Sequence, residues 1–158
     1  LEILPMKPNR VLTRAALFAV ILGSCGHAAA QSQFETVEDA VRYRQAAFTL
    51  IGEHMGRVGN ELRAARPDPQ KLRASADFIA ALSNVPWEAF GADTATDKGS
   101  RARPTIWKER VRFDELAENM RADARKMSAA AGDVAALRAQ FGNLAKTCKA
   151  CHDGYKQK

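Results

Sequence analysis

Residues Thr147–Lys158 read TCKACHDGYKQK and hold two of the three cysteines, Cys148 and Cys151, followed at once by His152. On a helix, side chains three apart share a face. The two thiols therefore point one way, and the imidazole projects beside them. Two thiols so placed can add across two vinyl groups on one porphyrin edge, while the imidazole takes the iron from one side. C-x-x-C-H thus reads as an attachment site for haem c. A redox dithiol also uses C-x-x-C, but at a helix start, where the dipole favours thiolate; here the motif lies near a helix C-terminus. A structural zinc ion needs four ligands, and beyond residue 30 the only other cysteine or histidine is His54. A disulfide, or two plain buried thiols, is the remaining alternative. The haem reading carries a further expectation: the covalent cofactor staples down a chain end that would otherwise fray.

Haem of this kind is attached outside the cytoplasm, and the front of the sequence agrees. From Met6 onward, Lys7, Arg10 and Arg14 form a basic stretch, Ala15 to Leu22 an apolar one, and Ala28-Ala29-Ala30 a small-residue cleavage site. That is the pattern of a secretory signal. The apolar run is too short for a stable membrane span. Leu22–Cys25 resembles a lipoprotein signal with Cys25 as the lipidated residue; cleavage after Ala30 is the preferred reading. The expected division is 1–30 for upstream residues and signal, and 31–158 for the haem-binding domain, located in the periplasm. Loss of Glu2, Lys7, Arg10 and Arg14 would take the net charge from +6 to +4. The cations are interspersed with acids and form no run, which argues against nucleic acid as a partner.

The elements that must position the motif are helices. Val37, Val41, Arg44, Phe48, Ile51, Met55, Val58 and Leu62 recur at steps of four and three, one face of a helix over about 36–66, with Thr36 and Asp39 as a capping pair. Arg44 is the charged member of that stripe. It needs either a partner for its charge or a route for its head to the rim. Asp68 and Pro69 start a second helix, with Leu72, Ser75, Ile79 and Leu82 inside. Residues 84–103 read as a polar loop of about twenty residues, a length usually functional or mobile. Pro104 starts a third helix, with Phe113, Leu116, Met120 and Met127 inside. Asp133 caps a fourth, on which Val134, Leu137, Phe141, Leu144, Cys148 and Cys151 share the apolar face. The expected fold is all-α: an antiparallel four-helix bundle with one long loop between its second and third helices. His54 reads as solvated, Tyr155 as a packing residue with a satisfied hydroxyl, and Trp87 and Trp107 as packing around the loop.

Four separated segments, EDAVRYRQAAFTLI (38–51), LSNVPWEAFG (82–91), ARPTIW (102–107) and CKACHDGYK (148–156), together resemble the cytochrome c′ family of haem-binding four-helix bundles. The resemblance implies one haem c, with Cys148 and Cys151 as thioether carriers and His152 as the iron ligand. It places Arg44 and Gln45 at the haem propionates, Arg101 at another haem-contacting position and Phe48 over the vacant sixth position. Lys156 stands where many relatives have arginine. It further implies five-coordinate iron that binds the small diatomic gases nitric oxide and carbon monoxide, with nitric oxide binding or detoxification and electron transfer as roles. A homodimer through the outer faces of the first two helices is expected, with Ala46, Ala47, Gly52, Gly56 and Gly59 as its small residues. The alternative is a Met-ligated electron carrier. Met55 is its candidate on the first helix, but a helix rise of 1.5 Å per residue sets it about 10 Å beyond Phe48. An enzyme is not the reading, because no distal histidine or acid–base pair accompanies the motif.

Overall fold

The computed structural model describes residues 33–158; the signal, cleavage-site and Cys25 expectations lie outside them. Helix α1, Val37–Arg63, starts where the Thr36 hydroxyl accepts the Asp39 N–H at 3.1 Å. It stops three residues short of the expected Arg66, as Ala64 turns extended ahead of Pro67. Helix α2, Pro69–Leu82, is capped by the Asp68 carboxylate, which accepts from Gln70 and Lys71. The Asp68 N–H in turn donates to Glu61 at 2.8 Å and closes the α1–α2 turn. Leu72, Ser75, Ala76 and Ile79 form the buried face of α2.

The stretch after α2 is not the simple polar loop that its composition suggests. It winds into two short 3-10 turns, Pro86–Ala89 and Ala92–Thr96, and buries Pro86, Trp87, Ala89, Phe90 and Thr94. Trp87 and Trp107 donate their indole N–H groups to loop carbonyls, Ser83 at 2.6 Å and Gly91 at 3.0 Å. Aromatic and proline residues within a polar stretch thus fold it back onto the bundle.

The helix expected from Pro104 is broken. One turn, α3 (Thr105–Lys108), is followed by Glu109 at φ −116°, ψ 40°, and then by α4, Arg110–Ala129. The break falls at the residue whose carboxylate accepts the Tyr155 hydroxyl at 2.9 Å. Helix α5, Val134–Tyr155, is capped by Asp133, which accepts from Ala135 and Ala136. Leu137 and Leu144 are fully buried, and Phe141, Cys148 and Cys151 pack against the same core.

The long helices α1, α2, α4 and α5 make the expected four-helix bundle. Cross-ties join them: Ser128 donates to Asp77 at 2.6 Å, Thr147 to Asp123 at 2.7 Å, and Arg138 to the Leu62 carbonyl at 2.5 Å. Beyond α5 the chain does not depend on a cofactor alone for its order. The Arg103 N–H donates to the Tyr155 carbonyl at 2.9 Å and the Gln157 N–H to that of Arg101 at 2.8 Å. These two bonds pair Ala102 with Lys156 in an isolated antiparallel bridge. No described helix is long and apolar enough to cross a membrane.

Candidate functional site

Cys148 and Cys151 are free, half-buried thiols on the core-facing side of α5. Burial raises the pKa of Cys148. Burial, with Cys148 adding to it, pushes Cys151 up to about 11. Both are therefore protonated thiols near a helix C-terminus, the reverse of what a nucleophilic dithiol needs. His152 is exposed and opens into a concavity of about 540 Å³ shared with Arg101, Arg103, Asp153, Lys156, Gln157 and Lys158. Partial burial lowers the affinity of its ring for a proton, Lys156 and Arg101 lower it further, and Asp153 opposes them. The neutral ring keeps a lone pair for a metal. Among the described residues, no three His, Cys, Asp or Glu side chains converge to hold a metal ion directly. Two thiols aimed at apolar surface beside a free imidazole are a donor set that fits haem, whose ring supplies the iron's other donors.

On α1, Arg44 is 2% exposed. Its head neither reaches the rim nor stands alone. Nη1 donates to the Ala89 carbonyl and to Thr94 Oγ1, and Nη2 to Ser100 Oγ, each at 2.7 Å. The guanidinium also lies over the Phe90 ring, 4.4 Å from its centroid. Burial lowers its pKa, with Asp97 and Asp93 opposing from a distance. Next to it, Gln45 Nε2 donates to the Gly99 carbonyl at 2.9 Å. Arg44 and Gln45 thus both hold the 84–103 segment.

Phe48, one turn along α1, meets Trp87 edge-on at 5.6 Å and Phe90 at 6.4 Å. Rings then run on from Trp87 to Phe113 at 5.8 Å and from Phe113 to Tyr155 at 5.5 Å. This aromatic path links α1 to the end of α5, just past the C-x-x-C-H motif. Phe48, Met55, Cys148 and Cys151 all border one apolar core. Arg101 is brought to His152 instead, and its Nη2 donates to the Gln157 carbonyl at 2.9 Å. Arg44 does not line that concavity.

A family model described as "Cytochrome C'" matches residues 39–156. The chain belongs to the cytochrome c′ family. The cytochrome c′ of Alcaligenes xylosoxydans xylosoxydans is 41% identical over 129 residues, covering 80% of this chain and 99% of that protein. Cytochrome c prime from Shewanella frigidimarina superposes with a TM-score of 0.75 at 36% identity, over 79% of this chain and 99% of that one. The nitric oxide complex of a leucine-to-alanine mutant of the Alcaligenes xylosoxidans cytochrome c prime gives 0.73 at 40% identity, over 80% and 99%. As a cytochrome c′, the chain carries covalently bound haem c with its iron.

The sequence reading missed the partners of Arg44. Thr94 and Ser100 carry no periodic signal, and only the folded loop brings them to α1. It also missed Phe90 and Phe113 as members of one aromatic path, although the apolar residues of NVPWEAF already mark that loop as more than solvent-facing. Trp87, Trp107 and Tyr155 pack as expected. His54 does not: its ring stacks on Phe78 at 4.8 Å, and Nδ1 is shielded without a hydrogen-bond partner.

Proposed function

We propose that this cytochrome c′ is an exported, periplasmic protein that binds nitric oxide and carbon monoxide at an apolar position covered by Phe48. In this reading Cys148 and Cys151 carry the thioethers and His152 is the iron's protein ligand. The bound haem supplies an iron with one coordination position open to a diatomic molecule. The observation that carries the proposal is the setting of Phe48. It is half-buried among Trp87 and Phe90, on the core that Cys148 and Cys151 also border. The nearest cation on its helix face, Arg44, has its donors engaged by the loop. The rings about Phe48 offer a bound gas apolar contacts in place of a hydrogen bond, which favours nitric oxide and carbon monoxide over O₂. The nitric oxide complex known for the Alcaligenes mutant supports the same chemistry here.

Carbon monoxide association, followed by stopped flow, tests the role of Phe48. Displacing a packed ring costs about 1–3 kcal/mol. Phe48→Ala is therefore expected to bind about tenfold or more faster. Equal rates would make Phe48 ordinary core, and a low-spin ferrous spectrum in the parent would favour the Met-ligated carrier. The double substitution Cys148→Ala with Cys151→Ala is expected to abolish haem that survives denaturing electrophoresis; persistent haem staining would overturn the thioether assignment.

The expected homodimer belongs to the same proposal. Its support is the outer face of α1 and α2, where Leu50 is 49% and Phe78 56% exposed and the shielded His54 Nδ1 lacks a partner. Of the small residues, Gly52 and Gly56 open onto free space, but Ala47 is buried and Gly59 lies under Phe141, so these two serve the core. Light scattering of the haem-loaded protein at micromolar concentration tests this, and a monomer would count against it.

A further inference from the structure

Tyr155 is a buried titratable group that gas binding leaves unused. It is 5% exposed and stands one helical turn after Cys151, on the same face of α5. Its ring and the two thiols border one core. Its hydroxyl donates to a Glu109 carboxylate oxygen at 2.9 Å, and Glu109 is open to water. Burial, and then the bond to Glu109, raise the Tyr155 pKa, so the phenol keeps its proton at neutral pH. A phenol that gives up an electron must shed that proton as well, and a carboxylate within hydrogen-bond reach can take it. The other oxidisable rings are set differently. Trp87 donates to the Ser83 carbonyl, which takes no proton, and the Arg121 guanidinium lies 5.7 Å from its ring centre, where its charge opposes a positive hole. Trp107 also donates to a carbonyl, that of Gly91. Tyr43 has a carboxylate in Glu88, but it is 37% exposed and outside the core that the cysteines border. Of the two tyrosines and two tryptophans in the chain, Tyr155 alone joins a place beside the attachment motif to a ready proton acceptor.

We propose that Tyr155, with Glu109 as its proton acceptor, donates an electron to the haem when a hydroperoxide oxidises it. The proposal rests on haem attachment at Cys148, Cys151 and His152. The hydroperoxide takes two electrons and two protons as its O–O bond breaks, and leaves as water and an alcohol, or as two waters from hydrogen peroxide. One electron comes from the haem iron and the other from Tyr155. The Tyr155 O–H bond breaks, an O–H bond forms on the Glu109 carboxylate, and a neutral tyrosyl radical remains. Glu109 then passes its proton to water. The oxidising equivalent is thereby drawn off the haem onto a buried ring, which an edge-on contact with Phe113 at 5.5 Å holds in place. This is protection of the cofactor and not turnover, because no acid–base pair accompanies the motif to make peroxide a substrate.

The test mixes ferric, haem-loaded protein with hydrogen peroxide, freezes it rapidly and reads electron paramagnetic resonance. An organic radical is expected whose signal narrows when the tyrosines are ring-deuterated. Tyr43→Phe is expected to keep that signal, and since the chain has two tyrosines, narrowing in this variant assigns the radical to Tyr155 directly. Tyr155→Phe is expected to abolish it. Glu109→Gln keeps an oxygen to accept the hydrogen bond but takes no proton, and is expected to lower the radical yield severalfold. A tyrosyl signal lost in Tyr43→Phe or kept in Tyr155→Phe would overturn the proposal, and an equal yield in Glu109→Gln would remove Glu109 from it. Peroxide that bleaches the parent's haem without a tyrosyl signal, or leaves its spectrum unchanged, would overturn it as well, since Tyr155 would then reduce nothing. Haem staining after denaturing electrophoresis, and the spectrum before peroxide, report attachment and ligation in each protein. A loss there counts against the haem site; a missing radical in the parent with both intact counts against Tyr155.

Discussion

Arg44 and the Arg101–Arg103–Lys156 cluster carry the same charge and meet opposite fates. Arg44 is buried, avoids any carboxylate at hydrogen-bond distance, and is satisfied by a carbonyl, two hydroxyls and a ring face. The cluster stands in water, tied to carbonyls at two points. A buried cation must have every donor placed, because an unmet one keeps its full desolvation penalty. An exposed cation has no such obligation. The first kind holds a fold together, and the second adds little to its stability.

The largest expected effect follows from the buried side. Arg44→Met would keep most of the volume but leave the Ala89 carbonyl and the Thr94 hydroxyl without the Arg44 donor, while Ser100 Oγ keeps the Ala102 N–H at 3.0 Å. The expected loss is about 2–4 kcal/mol, because two buried polar groups fail together. For a chain of this size that is a fall in Tm on the order of 10 °C. Arg44→Lys retains the charge on a single nitrogen that cannot span three acceptors, so it should recover only part of the loss. Thermal unfolding of haem-loaded protein measures both. An unchanged Tm in Arg44→Met would mean that the loop is held by its aromatic residues alone.

How much of this was legible beforehand follows the same division. The stripe from Val37 to Leu62, the caps at Thr36, Asp68 and Asp133, and the shared face of Cys148 and Cys151 all rest on neighbours within four residues. Local spacing reveals such contacts. Arg44 was legible as a cation on the wrong face, but its partners lie 45 to 56 residues away, where no period points. The bridge from Ala102 to Lys156 was hidden for the same reason. Tertiary pairing at a chain end leaves no composition signal, so the expectation credited the cofactor alone. The break at Glu109 also went unseen. RPTIWKERVRF contains no residue that stops a helix after Pro104, and the partner of Glu109 on α5, Tyr155, lies 46 residues away.

A smaller effect is expected where the two regions are joined. Tyr155 is buried, packs edge-on against Phe113 and donates to Glu109. Tyr155→Phe retains the ring and loses one hydrogen bond, which should cost about 0.5–1.5 kcal/mol in thermal unfolding. A larger loss would show that the Glu109 break depends on this one contact. On the exposed side, Arg101→Gln should change stability by less than about 0.5 kcal/mol, as for most surface substitutions. A fall approaching that of Arg44→Met would erase the contrast and make the cluster a structural element.

The smallest effect concerns a latch at the edge of the loop and sharpens the contrast through pH. Tyr43 donates to Glu88 at 2.8 Å, on the exposed turn next to the Arg44 contacts. Hydrogen bonds from Gln33 and then Tyr43 hold the Glu88 carboxyl below its usual range, while the bond to Glu88 raises the Tyr43 phenol. A depressed carboxylate contributes stability above its unfolded pKa and loses it as pH falls through the folded value. A raised phenol contributes below its unfolded pKa and loses it as pH rises through the folded one. The contact therefore acts at neutral pH and fades at both ends. Tyr43→Phe removes it but leaves the larger contribution from Gln33 in place. Water screens both groups, so the parent should exceed the variant by no more than about 0.5 kcal/mol near neutrality. That gap should close once pH drops below the carboxylate range or climbs above the phenol range. Thermal unfolding of both proteins across pH measures it. A gap independent of pH would show that Tyr43 acts through packing against Phe34, whose ring lies 5.0 Å away, and not through the hydrogen bond. The loop would then be held by Arg44 and its aromatic residues, with no electrostatic latch at its edge.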